Sequence, residues 1–310
     1  MKIRALSFLA VLASALAQDA PAIHVNVRLV NVAFTVRDAG GKLVTNLNKD
    51  DFEVLDDGQF QPISFFARGE DLPLTLGLIV DASGSQDHFV KQHDHDLGIF
   101  LKDVLTPRDR AFVIRFGNHL RLAADFSSDG SELIDGLKKG EKKNQESPEI
   151  GPHDYRSEGT AFYDSLYYAT TLKLAEIAQG RRAIVMFSDG EDNSSAHNMM
   201  DTIEAAQREN VVIFGIRYTE TRKNGEWTAR NKYGASVMTR ISHDTGGSDF
   251  DAQADDLRTS FREIGEQLRS SYELAYHANP LADGTFHKLA IRAKKEGLTV
   301  RTKTGYFSRD

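Results

Sequence analysis

The stretch Val80-Asp81-Ala82-Ser83-Gly84-Ser85 places one carboxylate and two hydroxyls within five residues. Further along, Thr160 follows Glu158-Gly159, and Asp189 sits in Phe187-Ser188-Asp189-Gly190. Together Asp81, Ser83, Ser85, Thr160 and Asp189 offer oxygen and neither nitrogen nor sulfur. Such a donor set suits a hard cation, Mg²⁺ first, with Mn²⁺ or Ca²⁺ as substitutes. Each piece also has a plainer use. Asp and Ser are favoured helix N-caps, and Asp189-Gly190-Glu191-Asp192 can equally be an acidic turn before a helix.

Ser83 also lies where a strand gives way to a helix, as a hydrolase nucleophile does. The nucleophile elbow requires Gly-x-Ser-x-Gly, and here the frame is Asp81-Ala82-Ser83-Gly84-Ser85. A base would have to come from His88, His93 or His95, which fall within a predicted helix. His88 and His95, seven residues apart, share a face, and His93 points elsewhere. A solvated helix face explains them more simply than a transition-metal site does. The loop lacks a Gly-x-Gly-x-x-Gly spacing and a phosphate-loop lysine, which argues against a nucleotide.

The elements that must carry these residues are legible from periodicity. Leu74 to Val80 is a continuous apolar run, as expected of a strand covered on both faces. Arg110–Phe116, Ala183–Phe187 and Val211–Ile216 read as further strands, with another over Leu120–Phe126. Between them, Val90, Leu97, Phe100, Leu101 and Val104 form a helical stripe. Helices are also expected over Phe162–Ile177, around Met200, Ile203 and Ala206, over Tyr233–Ile241 and over Leu257–Leu268. Strands alternating with helices give an α/β domain on a mostly parallel sheet. Ligands of such sheets bind at the carboxyl ends of strands, where Asp81, Thr160 and Asp189 all fall.

In order, spacing and strand context, these five residues resemble the metal-ion-dependent adhesion site of the von Willebrand factor type A family. That family's pattern is Asp-x-Ser-x-Ser, then a Thr, then an Asp, on separate loops. The resemblance covers roughly residues 72–268 and implies a Rossmann-like, doubly wound domain. It implies that the hydroxyls of Ser83, Ser85 and Thr160 leave the cation under-neutralised, with Asp189 acting through water. An external Asp or Glu of a protein partner then completes the coordination, without chemistry on the ligand. Asp87 does not match a second adjacent site.

The flanks have a different texture. Val25, Val27 and Leu29 alternate with polar residues, as do Val32, Phe34 and Val36, and the slip between Leu29 and Val30 suggests a bulge or two short strands. Asp56-Asp57-Gly58 is a hairpin turn between Phe52–Val54 and Phe60–Phe65. After residue 271, Tyr272, Leu274 and Tyr276, then Leu289 and Ile291, then Leu298 and Val300 alternate again, with turns at Asp283-Gly284 and Glu296-Gly297. Few strands stand alone, so residues 18–71 and 271–310 are expected to form one small β-sandwich with the 72–270 domain inserted.

Composition bounds the rest. The 310 residues have no cysteine, which excludes disulfides, thiolate nucleophiles and Cys-ligated metals. A formal charge of −7 argues against a nucleic-acid partner. Lys2 and Arg4, the apolar run Ala5–Leu12 and Ala15-Leu16-Ala17 have the form of a secretory signal peptide over residues 1–17. The run is too short to span a membrane, so an exported protein is expected, secreted or in the periplasm or envelope. Losing Lys2 and Arg4 takes the charge to −9. Two polar stretches, Lys138–Gly159 and Thr219–Gly234, read as surface loops. The first leads into Thr160 and contains Tyr155, and the second holds Trp227, the only tryptophan. Both aromatics are candidate partner contacts, although Trp227 could equally pack on its own domain. The expected function is cation-dependent protein binding. A structural or assembly role with a vestigial site, and a serine hydrolase, are the alternatives.

Overall fold

The computed structural model of the chain describes residues 29–140, 147–152, 159–219, 227–253, 256–278 and 284–308. Residues 1–17, Val25, Val27, Tyr155 and Asp283 lie outside the described residues. Strands β1 (Leu29–Arg37), β2 (Phe52–Asp56), β3 (Gln59–Gln61) and β4 (Ile63–Arg68) come first. The middle of the chain runs β5 (Leu74–Asp81), α1 (Val90–Val104), β6 (Arg110–Phe116), β7 (Leu120–Ser127), α2 (Gly130–Gly140) and α3 (Phe162–Tyr168). It continues through β8 (Arg181–Ser188), α4 (Met199–Arg208), β9 (Val211–Arg217), α5 (Ala229–Thr245), β10 (Asp249–Asp251) and α6 (Leu257–Arg269). The last strands are β11 (Tyr272–His277), β12 (Phe286–Ala293), β13 (Thr299–Thr302) and β14 (Gly305–Phe307).

The middle of the chain builds a six-stranded mixed sheet in the order β10-β9-β8-β5-β6-β7. All neighbours are parallel except β7, which runs antiparallel to β6. Leu74, Leu76, Leu78 and Val80 of β5 pack with Leu97, Phe100, Leu133 and Phe261 from α1, α2 and α6. Ile79 faces the other way, with Phe162, Ile203 and Met238 from α3, α4 and α5. Period-two geometry thus sends neighbouring apolar residues into two cores, which explains the unbroken run. Truncating one such leucine to alanine costs about 2–5 kcal/mol.

Several boundaries differ from those expected. The long helix over Phe162–Ile177 is α only to Tyr168, after which Ala169–Leu174 is a π-turn. Helix α2 falls where no helix was expected, although Leu133, Ile134 and Leu137 carry its apolar face. Helix α5 begins inside the expected loop Thr219–Gly234, because Thr228 caps it by accepting a bond from the Asn231 amide at 3.1 Å. Part of the other expected loop lies along β7, with Leu122 N donating to Pro148 O at 2.8 Å and Ile150 N to Leu120 O at 3.0 Å. In α4, Met200 is exposed and Ile203 and Ala206 are buried.

The flanks make two four-stranded antiparallel sheets, β13-β1-β11-β4 and β14-β12-β2-β3. Each mixes strands from both ends of the chain. They share one core of Val32, Phe34, Phe52, Val54, Tyr272 and Leu274. Phe34 meets Phe52 edge-on at 4.9 Å and stacks on Tyr272 at 5.3 Å. The bulge expected after Leu29 is not there: β1 pairs in unbroken register from Leu29 to Phe34. Val30 faces the core and Leu29 points outward. The irregularity lies instead in the pairing of β4 with β11, at Ala275/Tyr276.

The chain crosses between the two parts at adjacent points, where Gly69 N donates to Ser271 O at 2.6 Å. Buried Lys303 ties them again, its Nζ donating to Asn31 O at 2.8 Å and Gln207 O at 2.7 Å. Asp109, at the amino end of β5, is an anchor within the middle part itself. It accepts from Leu74 N at 2.9 Å and Thr106 N at 2.9 Å, and it takes both guanidinium arms of Arg269. Burial pushes its pKa up, yet Arg269 and these donors outweigh that and hold it at about 2. A depressed acid stabilises the fold above its unfolded pKa of about 3.9, and that contribution is lost as pH falls through about 2. Asp109→Asn is expected to lower stability by roughly 2 kcal/mol at neutral pH and to flatten acid unfolding below about pH 4. Urea titrations at a series of pH values check this, and parallel curves for the two proteins would refute it.

Candidate metal centre

Chain order steps outward from β5 to β6 and β7, then returns to the other side of β5 with β8. The switch point therefore lies between β5 and β8, and a crevice opens there at their carboxyl ends. Asp81 ends β5, and Asp189 follows β8 directly. Asp81 is fully buried, and its Oδ1 accepts from Ser83 N at 2.9 Å. Its Oδ2 accepts from Ser188 Oγ at 2.5 Å. Ser83 Oγ and Ser85 Oγ are 3.2 Å apart, and Ser85 Oγ donates to Asp189 Oδ2 at 2.7 Å. These four residues form one connected set, open to solvent at Ser85 and closed at Asp81.

The capping alternative does not describe this loop. Ser83 precedes a single 3-10 turn, Gly84–Gln86, and its side chain makes no capping bond. Helix α1 starts later, after Phe89.

Thr160 is brought in by its backbone. Thr160 N donates to Asn193 Oδ1 at 2.7 Å, and Thr160 O accepts from Asn193 N and Ser194 N. The next residue, Ala161, donates to Gly117 O, and a Cβ on Gly117 would stand 3.4 Å from Ala82 O. The Thr160 loop is thus fastened to the Asp189 loop on one side and lies near the Asp81 loop on the other. Asp164, fully buried in α3, accepts from Ala196 N and His197 N and fixes the remainder of the Asp189 loop.

The electrostatics favour a cation. Burial, then the charge of Asp189, push the pKa of Asp81 up to about 7, against the bonds from Ser188 and Ser83. Burial and Asp189 also raise Glu191. Neither Asp81 nor Asp189 pairs with Lys, Arg or His among the described residues. Two carboxylates with hydroxyl neighbours and no positive side chain suit a divalent ion, whose charge lowers the free energy of both.

Some contributors carried no sequence signal. Gln86 is buried and donates from Nε2 to Asp189 Oδ2 at 2.9 Å. Ser188 holds Asp81 and also accepts from Gly190 N at 3.0 Å. Gly190, at φ +77°, lets helix α5 approach at Gly234. Among the three histidines, His88 and His95 are exposed, whereas His93 is buried among Phe89, Phe187 and Tyr218, so the solvated-face reading fails for it. Burial lowers its pKa to about 4, offset only in part by the Asp81 backbone. Trp227 is half-buried, with the Arg217 guanidinium 5.3 Å over its ring. One of its faces is therefore engaged within its own chain.

No family model and no curated protein matches the chain. Solved structures do. One is an aerotolerance-related membrane protein from Bacteroides fragilis, 14% identical over 63% of this chain and 98% of that one, with a TM-score of 0.46. Another is the conserved hypothetical protein BatB from Bacteroides thetaiotaomicron, 16% identical over 63% and 97%, TM-score 0.44. A third is proximal thread matrix protein 1 from the mussel byssus with a zinc-occupied MIDAS motif, 14% identical over 69% and 50%, TM-score 0.46. Nothing about ligand or activity passes from them to this chain. No helix among the described residues is long and apolar enough to cross a membrane.

Proposed function

We propose that the chain is an exported, divalent-cation-dependent protein-binding module of the von Willebrand type A kind, with residues 72–270 inserted in a sandwich made by the flanks. The observation that carries this is the linkage of Asp81, Ser83, Ser85 and Asp189 at the sheet's switch point without a positive side chain. Asp81, Ser83, Ser85 and Thr160 would hold Mg²⁺, or Mn²⁺ or Ca²⁺ in its place. Asp189, already engaged by Ser85 and Gln86, would act through water. The ion supplies an electrophilic open position. Hydroxyl ligands leave it under-neutralised, so an Asp or Glu carboxylate of a partner protein is the ligand that suits it. Ser85, the exposed member of the set, is the rim across which that carboxylate would approach.

No enzymatic step is assigned. His93, the buried histidine of α1, is held neutral among aromatic rings, and its ring makes no hydrogen bond to the Ser83 hydroxyl, which pairs with Ser85. The exported location rests on residues 1–17 alone. A pull-down from envelope or culture proteins, run with Mg²⁺ and with EDTA, tests the reading. A partner retained only with Mg²⁺, and lost on Asp81→Ala, is expected. Absence of Mg²⁺ binding by calorimetry, or equal binding by the variant, would return the site to a structural role.

A further inference from the structure

A second group of donors lies in the sandwich, drawn from both ends of the chain. Asp56 ends β2, Asp57 opens the hairpin turn after it, and His287 lies near the start of the neighbouring strand β12. One ligand atom from each falls within 4.8 Å of the others. His287 Nδ1 is 2.9 Å from Asp57 Oδ2 and 3.7 Å from Asp56 Oδ1.

Asp56 makes this more than an acidic turn. The residue is 7% exposed. Its Oδ2 accepts from the phenols of Tyr276 at 3.0 Å and Tyr306 at 2.7 Å. Burial raises the pKa of both phenols, so they stay neutral donors. Its Oδ1 is buried with no hydrogen-bond partner and faces the imidazole. A buried carboxylate oxygen without a donor is costly, and a cation is what removes that cost. Among the described residues, the basic side chain that pairs with the two carboxylates is His287 itself.

The remaining atoms are held ready. Lys288 N donates to Asp57 Oδ1 at 2.8 Å, which turns Oδ2 toward the ring. Asp57 sits at φ 48°, a conformation that Asp and Asn tolerate. His287 stacks on Tyr306 with centroids 5.2 Å apart, and its Nε2 is 3.3 Å from Thr285 Oγ1. In this cation-free geometry Nδ1–H bridges to Asp57 Oδ2; a metal would displace that proton, and Nε2–H donated to the Thr285 hydroxyl would then fix the ring, the usual arrangement for a histidine ligand.

The geometry points to a second metal site at Asp56 Oδ1, Asp57 Oδ2 and His287 Nδ1, taking a borderline divalent cation of the zinc class. One nitrogen with two carboxylate oxygens suits Zn²⁺ better than Mg²⁺, which prefers oxygen alone. A tetrahedral ion has ligand–ligand edges of about 3.4 Å, so the set closes on it by small side-chain shifts. Asp57 is exposed, which leaves the fourth position open to water. The ion would pin the β2–β3 turn to β12, a strand contributed by the other end of the chain. This inference does not depend on the centre at Asp81.

Zinc titration of the chelator-stripped full chain tests it, in an Asp189→Asn background that disables the first centre. Calorimetry is expected to give one zinc equivalent in that background. Adding Asp57→Asn or His287→Gln should weaken zinc at least about tenfold. Asn tolerates the turn at position 57, so the fold should survive, and circular dichroism checks that it does. Nitrogen NMR of the unsubstituted protein adds a readout without mutation, with His287 Nδ1 shifting on zinc addition. Zinc affinities that agree within about threefold across the variants would overturn the proposal. So would the loss of all zinc binding with Asp189→Asn, or a His287 signal that zinc leaves unmoved.

Discussion

Asp81→Asn will make the cation-free protein more stable than the parent at about pH 8 and will abolish its stabilisation by Mg²⁺. The reason is the position of Asp81 at the closed end of the crevice, fully buried and facing the charge of Asp189. Its pKa of about 7 lies above the unfolded value of about 3.9. The folded state therefore binds its proton more tightly than the unfolded state does. Stability falls as pH rises between these two values, and the full penalty is present above about pH 7. That penalty is on the order of 4 kcal/mol. Asn keeps the shape and removes the charge, so its pH slope in EDTA should be nearly flat. Excess Mg²⁺ should flatten the parent's slope by holding Asp81 ionised in the folded state, and should leave the variant unchanged. Urea unfolding between about pH 5 and pH 8, with EDTA and with Mg²⁺, separates these cases. Equal slopes in EDTA, or equal Mg²⁺ stabilisation, would dismiss Asp81 as the buried ligand.

The second large effect is expected from a residue with no chemistry of its own. Gly234 lies within α5, and a Cβ there would stand 2.3 Å from Asp189 O and 3.3 Å from Gly190 C. Ala is otherwise the better helix former by about 1 kcal/mol. Here the contact is backbone against backbone, and neither α5 nor the Asp189 loop can rotate out of the way. Gly234→Ala should lower stability by about 1–3 kcal/mol and weaken Mg²⁺ binding at least about tenfold, because Asp189 moves. Gly98 is the matched control. It also lies inside a helix, α1, and a Cβ there meets nothing within 4 Å. Gly98→Ala should therefore be neutral or stabilising by up to about 1 kcal/mol, with Mg²⁺ affinity unchanged. Calorimetry and thermal unfolding of both variants check the pair. Normal Mg²⁺ affinity in Gly234→Ala would show that the helix does not set the position of Asp189.

Local chemistry was the readable part of this protein. A strand covered on both faces must be apolar at every position, so Leu74–Val80 announces β5 and the loop that follows it. The alternation in Val32, Phe34 and Val36 likewise announces half-buried strands. The donor series Asp81, Ser83, Ser85, Thr160 and Asp189 was legible because each member follows or borders an element with its own period. Helix α2 was also within reach, since Leu133 and Leu137 are one turn apart. Its polar neighbours and short length concealed it.

Pairing across distance was not readable. Asp56 and His287 meet because β2 lies beside β12 with Leu289 opposite Asp56, and nothing near residue 56 specifies that partner. Gln86 reaches Asp189 across 103 residues, and Gly234 matters only because α5 crosses the Asp189 loop. That His93 is buried among Phe89, Phe187 and Tyr218 follows only from how α1 packs on the sheet. The sequence by itself determined which strands and helices form and which residues could ligate a hard cation, since periodicity and side-chain chemistry are local. The tertiary structure alone decided which carboxylates stand unpaired, which glycines permit close approach and where a second cluster assembles. Those properties depend on burial and register, and both arise only when distant segments pack.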